Sequence, residues 1–421
     1  MDAYQNEYLA EGAGEVNGIV TVTASGGGDA APGLGASEII IIDISGSMNY
    51  PPTKMRSAQQ ATAAAIDCIR EGVLFGVIAG TKLAHQVFPI GQALIPANAQ
   101  TRAQAKDAVA RLQAQGGTAI GAWLDLANQM FASVPGSAIN HAILLTDGKD
   151  ESETPGELDA VLARSQGRFQ CDCRGVGTDW IVSELRKVAS TLLGTVDIVA
   201  DPSGLAADFT AMVEAAMGKA TANVALRVWT PQAAQVSFVK QVSPTVEDLT
   251  GSRIPVNDRV GDYPTGAWGE ESRDYHVCVQ VKPGAVGDEM LAARISLVVS
   301  GQVVNQALVK ATWTDDVALS TRIDSAVAHY TGQAELAQAI QDGLAARKAG
   351  DDATATMKLG RAAQLASESG NDATSRLLSK VVDVEDAATG TVRLKAKVDD
   401  ADEMALDTRS TKTVRVTKSP S

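Results

Sequence analysis

The sequence predicts an α/β fold: a doubly wound, mainly parallel six-stranded sheet, joined to an antiparallel β-sandwich and a C-terminal helical segment. Three observations carry this expectation. Apolar runs without polar alternation, Ile39-Ile40-Ile41-Ile42 and Ala142-Ile143-Leu144-Leu145, suit strands covered on both faces. Helical stretches separate such runs, as crossovers of a parallel sheet require. Beyond residue 222 the pattern turns to period two, broken by Pro and Gly clusters, as in antiparallel sheets with one solvated face.

Taken in order, residues 4–24 place Val16, Val20 and Val22 ahead of a Gly26-Gly27-Gly28 break. A lone strand does not persist unpaired. This segment is therefore expected to cross over and complete the sandwich, with the α/β domain inserted behind it. Residues 36–218 form that domain. Its strands are expected near 38–44, 73–80, 84–89, 139–146, 169–176 and 195–200, and its helices at 53–71, 100–114, 119–132, 155–166, 180–191 and 203–218. The Gly80-Thr81-Lys82 turn is too short for a crossover, so 84–89 reads as an antiparallel edge strand.

Residues 222–315 alternate at Val224, Leu226 and Val228, at Tyr275, Val277, Val279 and Val281, and at Ile295, Leu297 and Val299, giving the sandwich. Residues 318–385 show helical spacing at Leu336, Ile340 and Leu344 and again at Leu377, Leu378, Val381 and Val382. Gly350-Asp351-Asp352 and Gly370-Asn371-Asp372 read as helix stops followed by new N-caps, so a small bundle or hairpin is expected. Residues 386–421 are polar and are expected to be a partly disordered tail. Two other readings of the tail stand beside that one. Thr408, Thr411 or Thr413, flanked by Arg and Lys, could be phosphorylated, or Thr391-Val392-Arg393-Leu394 could pair with Val414-Arg415-Val416.

Composition sets limits. The chain has 421 residues, 45% of them hydrophobic but only 4% aromatic, which suits α/β layers packed through small residues. A net charge of −14 opposes contact with phosphates, so neither nucleic acid nor an anionic membrane is expected as a partner. The N-terminal residues Met1 to Glu7 lack the basic and apolar regions of a secretory signal, and a cytoplasmic location is expected. Four cysteines, with Cys171 and Cys173 two apart, make a poor zinc site and a poor disulfide scaffold.

Chemistry gathers at three loops. Asp43-Ile44-Ser45-Gly46-Ser47 follows a buried strand, where open α/β sheets bind ligands. Gly116-Gly117-Thr118 precedes a helix, and Thr146-Asp147-Gly148 follows another buried strand. Carboxylates plus neutral hydroxyls suit a small hard cation rather than a thiophilic one. Asp-x-Ser-x-Ser, then Thr, then Asp, in this chain order, resembles the metal-ion-dependent adhesion site of von Willebrand factor A domains. The resemblance implies a Rossmann-like α/β fold over about 180 residues. It also implies that Asp43, Ser45, Ser47, Thr118 and Asp147 hold Mg²⁺ or Mn²⁺, and that a partner carboxylate completes the coordination. Asp150, Glu151 and Glu153 would repel an acidic ligand or favour one with a basic group beside its carboxylate.

Catalysis is not expected. A phosphatase of the haloacid dehalogenase class needs a second aspartate where Ser45 stands, and no Walker motif is present. His85, His141, His276 and His329 fall on apparent strands or a helix, outside the site loops, so a hydrolytic triad finds no base there. The architecture resembles bacterial cytoplasmic A-domain proteins of stress-response and Ser/Thr kinase/phosphatase signalling, or those working with MoxR-type AAA+ ATPases. The expected function is a protein–protein interaction adaptor. A structural subunit with a vestigial metal site and a metal-dependent phosphohydrolase are the alternatives.

Overall fold

The computed structural model describes residues 1–25, 35–91, 93–134 and 137–416; the Gly26-Gly27-Gly28 break lies outside them. The chain divides into two units, one comprising Gly26–Ala222 with Gly266–Gly269 and the other comprising the rest.

The first is the α/β unit. Its strands are β1 (Gly35–Asp43), β2 (Leu74–Gly80), β3 (Ala84–Phe88), β4 (Ile95–Pro96), β5 (Ser137–Thr146), β6 (Gln170–Val176) and β7 (Val196–Val199). Helices α1 (Thr53–Cys68), α2 (Ala99–Val109), α3 (Ile120–Ala132), α4 (Pro155–Ser165), α5 (Val182–Thr191) and α6 (Leu205–Met217) connect them. The sheet runs β7-β6-β5-β1-β2-β3. Pairing is parallel from β7 to β2 and antiparallel for β3. The sheet has a seventh member where six were expected: β4, two residues long, also pairs with β2. Ile95 and Pro96 are too short a segment to carry a period.

Ile39 to Ile42 are wholly buried because both faces of β1 are covered. Ile40 and Ile42 pack with Ala58, Ala65 and Ile66 of α1 and Phe209 and Val213 of α6. Full burial of one such side chain contributes about 2 kcal/mol. The order places β2 on one side of β1 and β5 on the other, so the connections from these parallel strands leave in opposite directions, and a crevice opens at the C-terminal ends of β1 and β5. At the opposite half of the same strands His141 Nδ1 lies 2.9 Å from Glu38 Oε1, and its Nε2 lies 3.0 Å from Asp172 Oδ2. Cys171 and Cys173 are free thiols buried in β6.

The second unit holds two sheets and a helical part. Glu15–Ala24 pairs antiparallel with Glu271–Val281, setting Val16 against Val279 and Val20 against Tyr275, so the α/β unit lies in the chain between these two strands. The five-stranded sheet built on that pair faces a six-stranded one. They meet closely at Gly18, where a Cβ would stand 3.0 Å from Val309 Cγ2.

Helices Ser325–Lys348, Asp352–Glu368 and Asp372–Val381 pack around Ile340, Leu344, Leu359 and Leu378. Asp351 and Asn371 cap the second and third through the N–H groups of Thr354 and Thr374. Gly350 and Gly370 precede those caps in the left-handed region, at φ +78° and +65°.

The tail departs from expectation. Val382–Asp386 and Thr391–Leu394 form a hairpin with each other, so Thr391–Leu394 does not pair with Val414–Val416. A helix spans Asp400–Arg409 and buries Leu406 in the bundle core. Thr408 is buried and bonds Met404 O, which leaves it out of reach of a kinase. Thr413 donates to Val242 O, and Val416 packs beside Ile19, Val242 and Tyr330. The tail's polar residues are helix caps and surface positions around a few buried apolar anchors, a pattern composition alone averages away.

Candidate metal centre

β1 delivers Asp43 to the crevice, and the chain then turns tightly. Ser45 N–H donates to Asp43 Oδ1 at 2.6 Å, an Asx-type turn that aims the serine hydroxyl back toward the strand end. Gly46 N–H donates to Gly116 O at 2.9 Å and Gln115 N–H to Ile44 O at 2.6 Å, which ties the loop before α3 to the loop after β1. Gly116 has φ +79°, the left-handed region that glycine enters without strain. Thr118 follows, and Ser152 N–H fixes its carbonyl at 2.9 Å. β5 supplies the third loop, Thr146-Asp147-Gly148.

The five side chains expected at a metal site are brought together. Ser45 Oγ and Ser47 Oγ are 2.9 Å apart, and Ser47 Oγ donates to Asp147 Oδ1 at 2.6 Å. Thr118 joins through Gly148: a Cβ built there would meet Thr118 Oγ1 at 2.9 Å, Ser47 Oγ at 3.4 Å and Asp43 Oδ2 at 3.8 Å. Oxygens from the first two loops thus face one small space that the third loop leaves open at its glycine, and Asp147 joins them through Ser47. Asp43 and Asp147 are fully buried, Ser45 and Thr118 nearly so, and Ser47 is half-buried. The donor set is oxygen alone, with two carboxylates, and this chemistry fits a small hard cation. Among the described residues no group of three or more His, Cys, Asp or Glu could hold a metal, so any ion here must draw on the hydroxyls.

Burial pushes the Asp43 carboxyl up to about 6, and the nearby Asp147 charge adds to the rise, against hydrogen bonds from Thr146 and Ser45 that lower it. A cation in the same space would relieve that cost. The centre opens into a cavity of about 490 Å³ whose wall includes Gly117, Lys149, Glu151, Ser152 and Asp179.

Three residues bear on the site beyond the five expected: Thr146 and Gly148, noted in the sequence only as neighbours of Asp147, and Lys54. Thr146 Oγ1 donates to Asp43 Oδ2 at 2.5 Å and fixes that carboxylate. Gly148 provides the space. Lys54, in the first turn of α1, is buried and pairs with Asp147 Oδ2. The signal for Lys54 was its place on the buried stripe of α1, where Ala58, Ala61 and Ala65 follow. Of the three acidic rim residues, only Glu151 lines the cavity. Asp150 and Glu153 turn away and accept from the N-terminal amides of α3: Ile120 N–H to Asp150, and Gly121 and Ala122 N–H to Glu153.

Comparison with known proteins shows the family. A von Willebrand factor type A domain model matches residues 39–149, and a von Willebrand factor type A C-terminal domain model matches residues 364–410. A von Willebrand factor type A structure from Catenulispora acidiphila is 54% identical, with 99% of this chain and 96% of that chain covered and a TM-score of 0.94. The chain belongs to the von Willebrand factor type A family. The ArnB paralog VWA2 from Sulfolobus acidocaldarius shares the fold at 12% identity and a TM-score of 0.56, over 97% of both chains. An uncharacterized protein of Synechocystis sp. is 30% identical over 221 residues, which are 50% of this chain and 49% of that protein, so the chain spans about half the length of that relative. No helix among the described residues is long and apolar enough to cross a membrane.

Proposed function

We propose that this chain is a protein–protein interaction adaptor that binds a partner's Asp or Glu through Mg²⁺ or Mn²⁺. Asp43, Ser45, Ser47, Thr118 and Asp147 would hold the ion. One observation carries the reading: Asp43, Ser47 and Thr118 oxygens from two loops face a single space beside Gly148 of the third, and Ser47 ties Asp147 and Ser45 to them. When bound, the ion supplies a positively charged position that a carboxylate can complete. The chain's own residues do the rest. Thr146 and the Ser45 amide hold Asp43 still, and Ser47 and Lys54 hold Asp147. The glycine-walled cavity admits a side chain from outside.

Binding rather than turnover is favoured because no histidine stands in the three loops, and His141 is committed to Glu38 and Asp172 at the other half of the sheet. The setting we propose is cytoplasmic and bacterial, with Ser/Thr kinase/phosphatase signalling proteins or a MoxR-type AAA+ ATPase as the partner. The test is retention of partners from a lysate of the source cells by wild type in Mg²⁺, wild type in EDTA, and Asp43→Ala in Mg²⁺. A partner held only in the first sample is the expected result. Equal retention in all three, with the variant folded, would overturn the reading in favour of a structural subunit.

A further inference from the structure

We infer that Lys54 is a resident counter-cation that weakens the metal's hold on the bare chain and couples it to arrival of a carboxylate. This rests on the metal reading above. Lys54 Nζ stands 2.5 Å from Asp147 Oδ2, with the two side chains 4% and 0% exposed. The exposed carboxylate of Asp179 lies farther off, at 3.8 Å. Asp147's other oxygen accepts from Ser47. Lys54 therefore fixes which way Asp147 faces, with Oδ1 toward the hydroxyls and Oδ2 toward the ammonium.

It also changes the charge sum. Among the buried groups Asp43 and Asp147 bring two negative charges, Lys54 returns one positive, and the rest are neutral hydroxyls, while Asp179 is 74% exposed and its charge is screened by water. A divalent ion among them leaves one positive charge uncompensated. Away from bulk water such an excess is poorly screened. The centre opens on the cavity through Ser45, Ser47, Thr118 and Gly148, with Ser47 the half-buried one. An anionic ligand entering there neutralises the excess. A site made for tight metal binding alone would not bury an ammonium against one of its two carboxylates. A site in which ion and carboxylate bind as a pair gains from it.

The test is titration of the full chain with Mn²⁺, following free Mn²⁺ by electron paramagnetic resonance, with and without acetate as the carboxylate probe. Wild type is compared with Lys54→Met, which keeps the stem and removes the charge, and with Lys54→Arg, which keeps the charge. Without acetate, Lys54→Met is expected to bind Mn²⁺ at least about tenfold more tightly than wild type, and Lys54→Arg like wild type. Acetate is expected to tighten Mn²⁺ binding in wild type more than in Lys54→Met. If Lys54→Met does not fold, Lys54→Gln takes its place, since it retains a donor for Asp147. Equal or weaker affinity in the neutral variant, tightening by Lys54→Arg, or indifference of wild type to acetate would each overturn the role of Lys54 and leave the metal reading standing. Mn²⁺ bound by neither wild type nor the neutral variant would overturn both.

Discussion

A Cβ on Gly148 would lie 2.9 Å from Thr118 Oγ1, inside the distance side-chain carbons keep from a hydroxyl. The glycine is there for space: Gly148 is not among the residues with positive φ. Gly148→Ala is therefore expected to displace Thr118 and, with it, Ser47. Overpacking of this size costs about 1–2 kcal/mol of stability. The functional loss should be larger, with Mn²⁺ affinity falling at least about tenfold. Mn²⁺ titration beside a thermal melt checks this; a folded Gly148→Ala chain that binds Mn²⁺ like wild type would show that the oxygens do not share one ion.

The Glu38–His141–Asp172 row makes a separate prediction. Burial disfavours the charged imidazole, but the Glu38 charge and the bonds to Asp172 and Glu38 outweigh it, and His141 rises from 6.5 to about 10. A group whose pKa is raised on folding contributes stability below its unfolded value and loses it as pH climbs through the folded one. His141→Gln is expected to cost about 3 kcal/mol near pH 6, as removing one partner of a buried ion pair does. That cost should shrink between pH 6.5 and pH 10. Denaturant unfolding of both chains across that range is the measurement. Mn²⁺ affinity should stay as in wild type, because Glu38 stands five residues up β1 from Asp43, about 16 Å along a strand.

What the sequence disclosed followed from the physics of each signal. Ile39 to Ile42 announced a strand buried on both faces because a short β-branched run that ends at a polar loop favours a strand over a helix and leaves no face for water. Asp43, Ser45, Ser47, Thr118 and Asp147 were visible because their spacing and order carry the chemistry, although their convergence depends on sheet order. Lys54 was hidden since a lysine near a helix start ordinarily faces water. Asp150 and Glu153 read as a charged rim, but Ala119 offers no side-chain cap to α3, and that vacancy draws both carboxylates inward. The tail looked disordered because its apolar residues, Met404 to Leu406 and Val414 with Val416, are few and set among charged and polar ones. Only the surfaces that Leu406 and Val416 meet, formed by distant segments, give them a core.

The capping of α3 supplies the last prediction. Thr118 sits two residues ahead of this helix, so whatever fixes the helix start fixes a candidate ligand. Glu153 accepts from Gly121 and Ala122 N–H, and its charge faces the positive end of the helix dipole. Glu153→Ala strips that cap and should cost about 1 kcal/mol, in line with other lost N-caps. Mn²⁺ affinity should fall severalfold although Glu153 is no ligand, and Glu153→Gln, which keeps an acceptor, should recover most of it. The cost should also depend on pH. Burial raises Asp150 to about 8, and its hydrogen bond and repulsion with Glu153 add to the rise. A carboxyl raised on folding loses stability as pH increases through that window, and deleting Glu153 removes part of the strain. The stability deficit of Glu153→Ala is therefore expected to be larger at pH 5 than at pH 8. A deficit independent of pH, with Mn²⁺ affinity unchanged, would mean that Glu153 neither raises Asp150 nor positions Thr118.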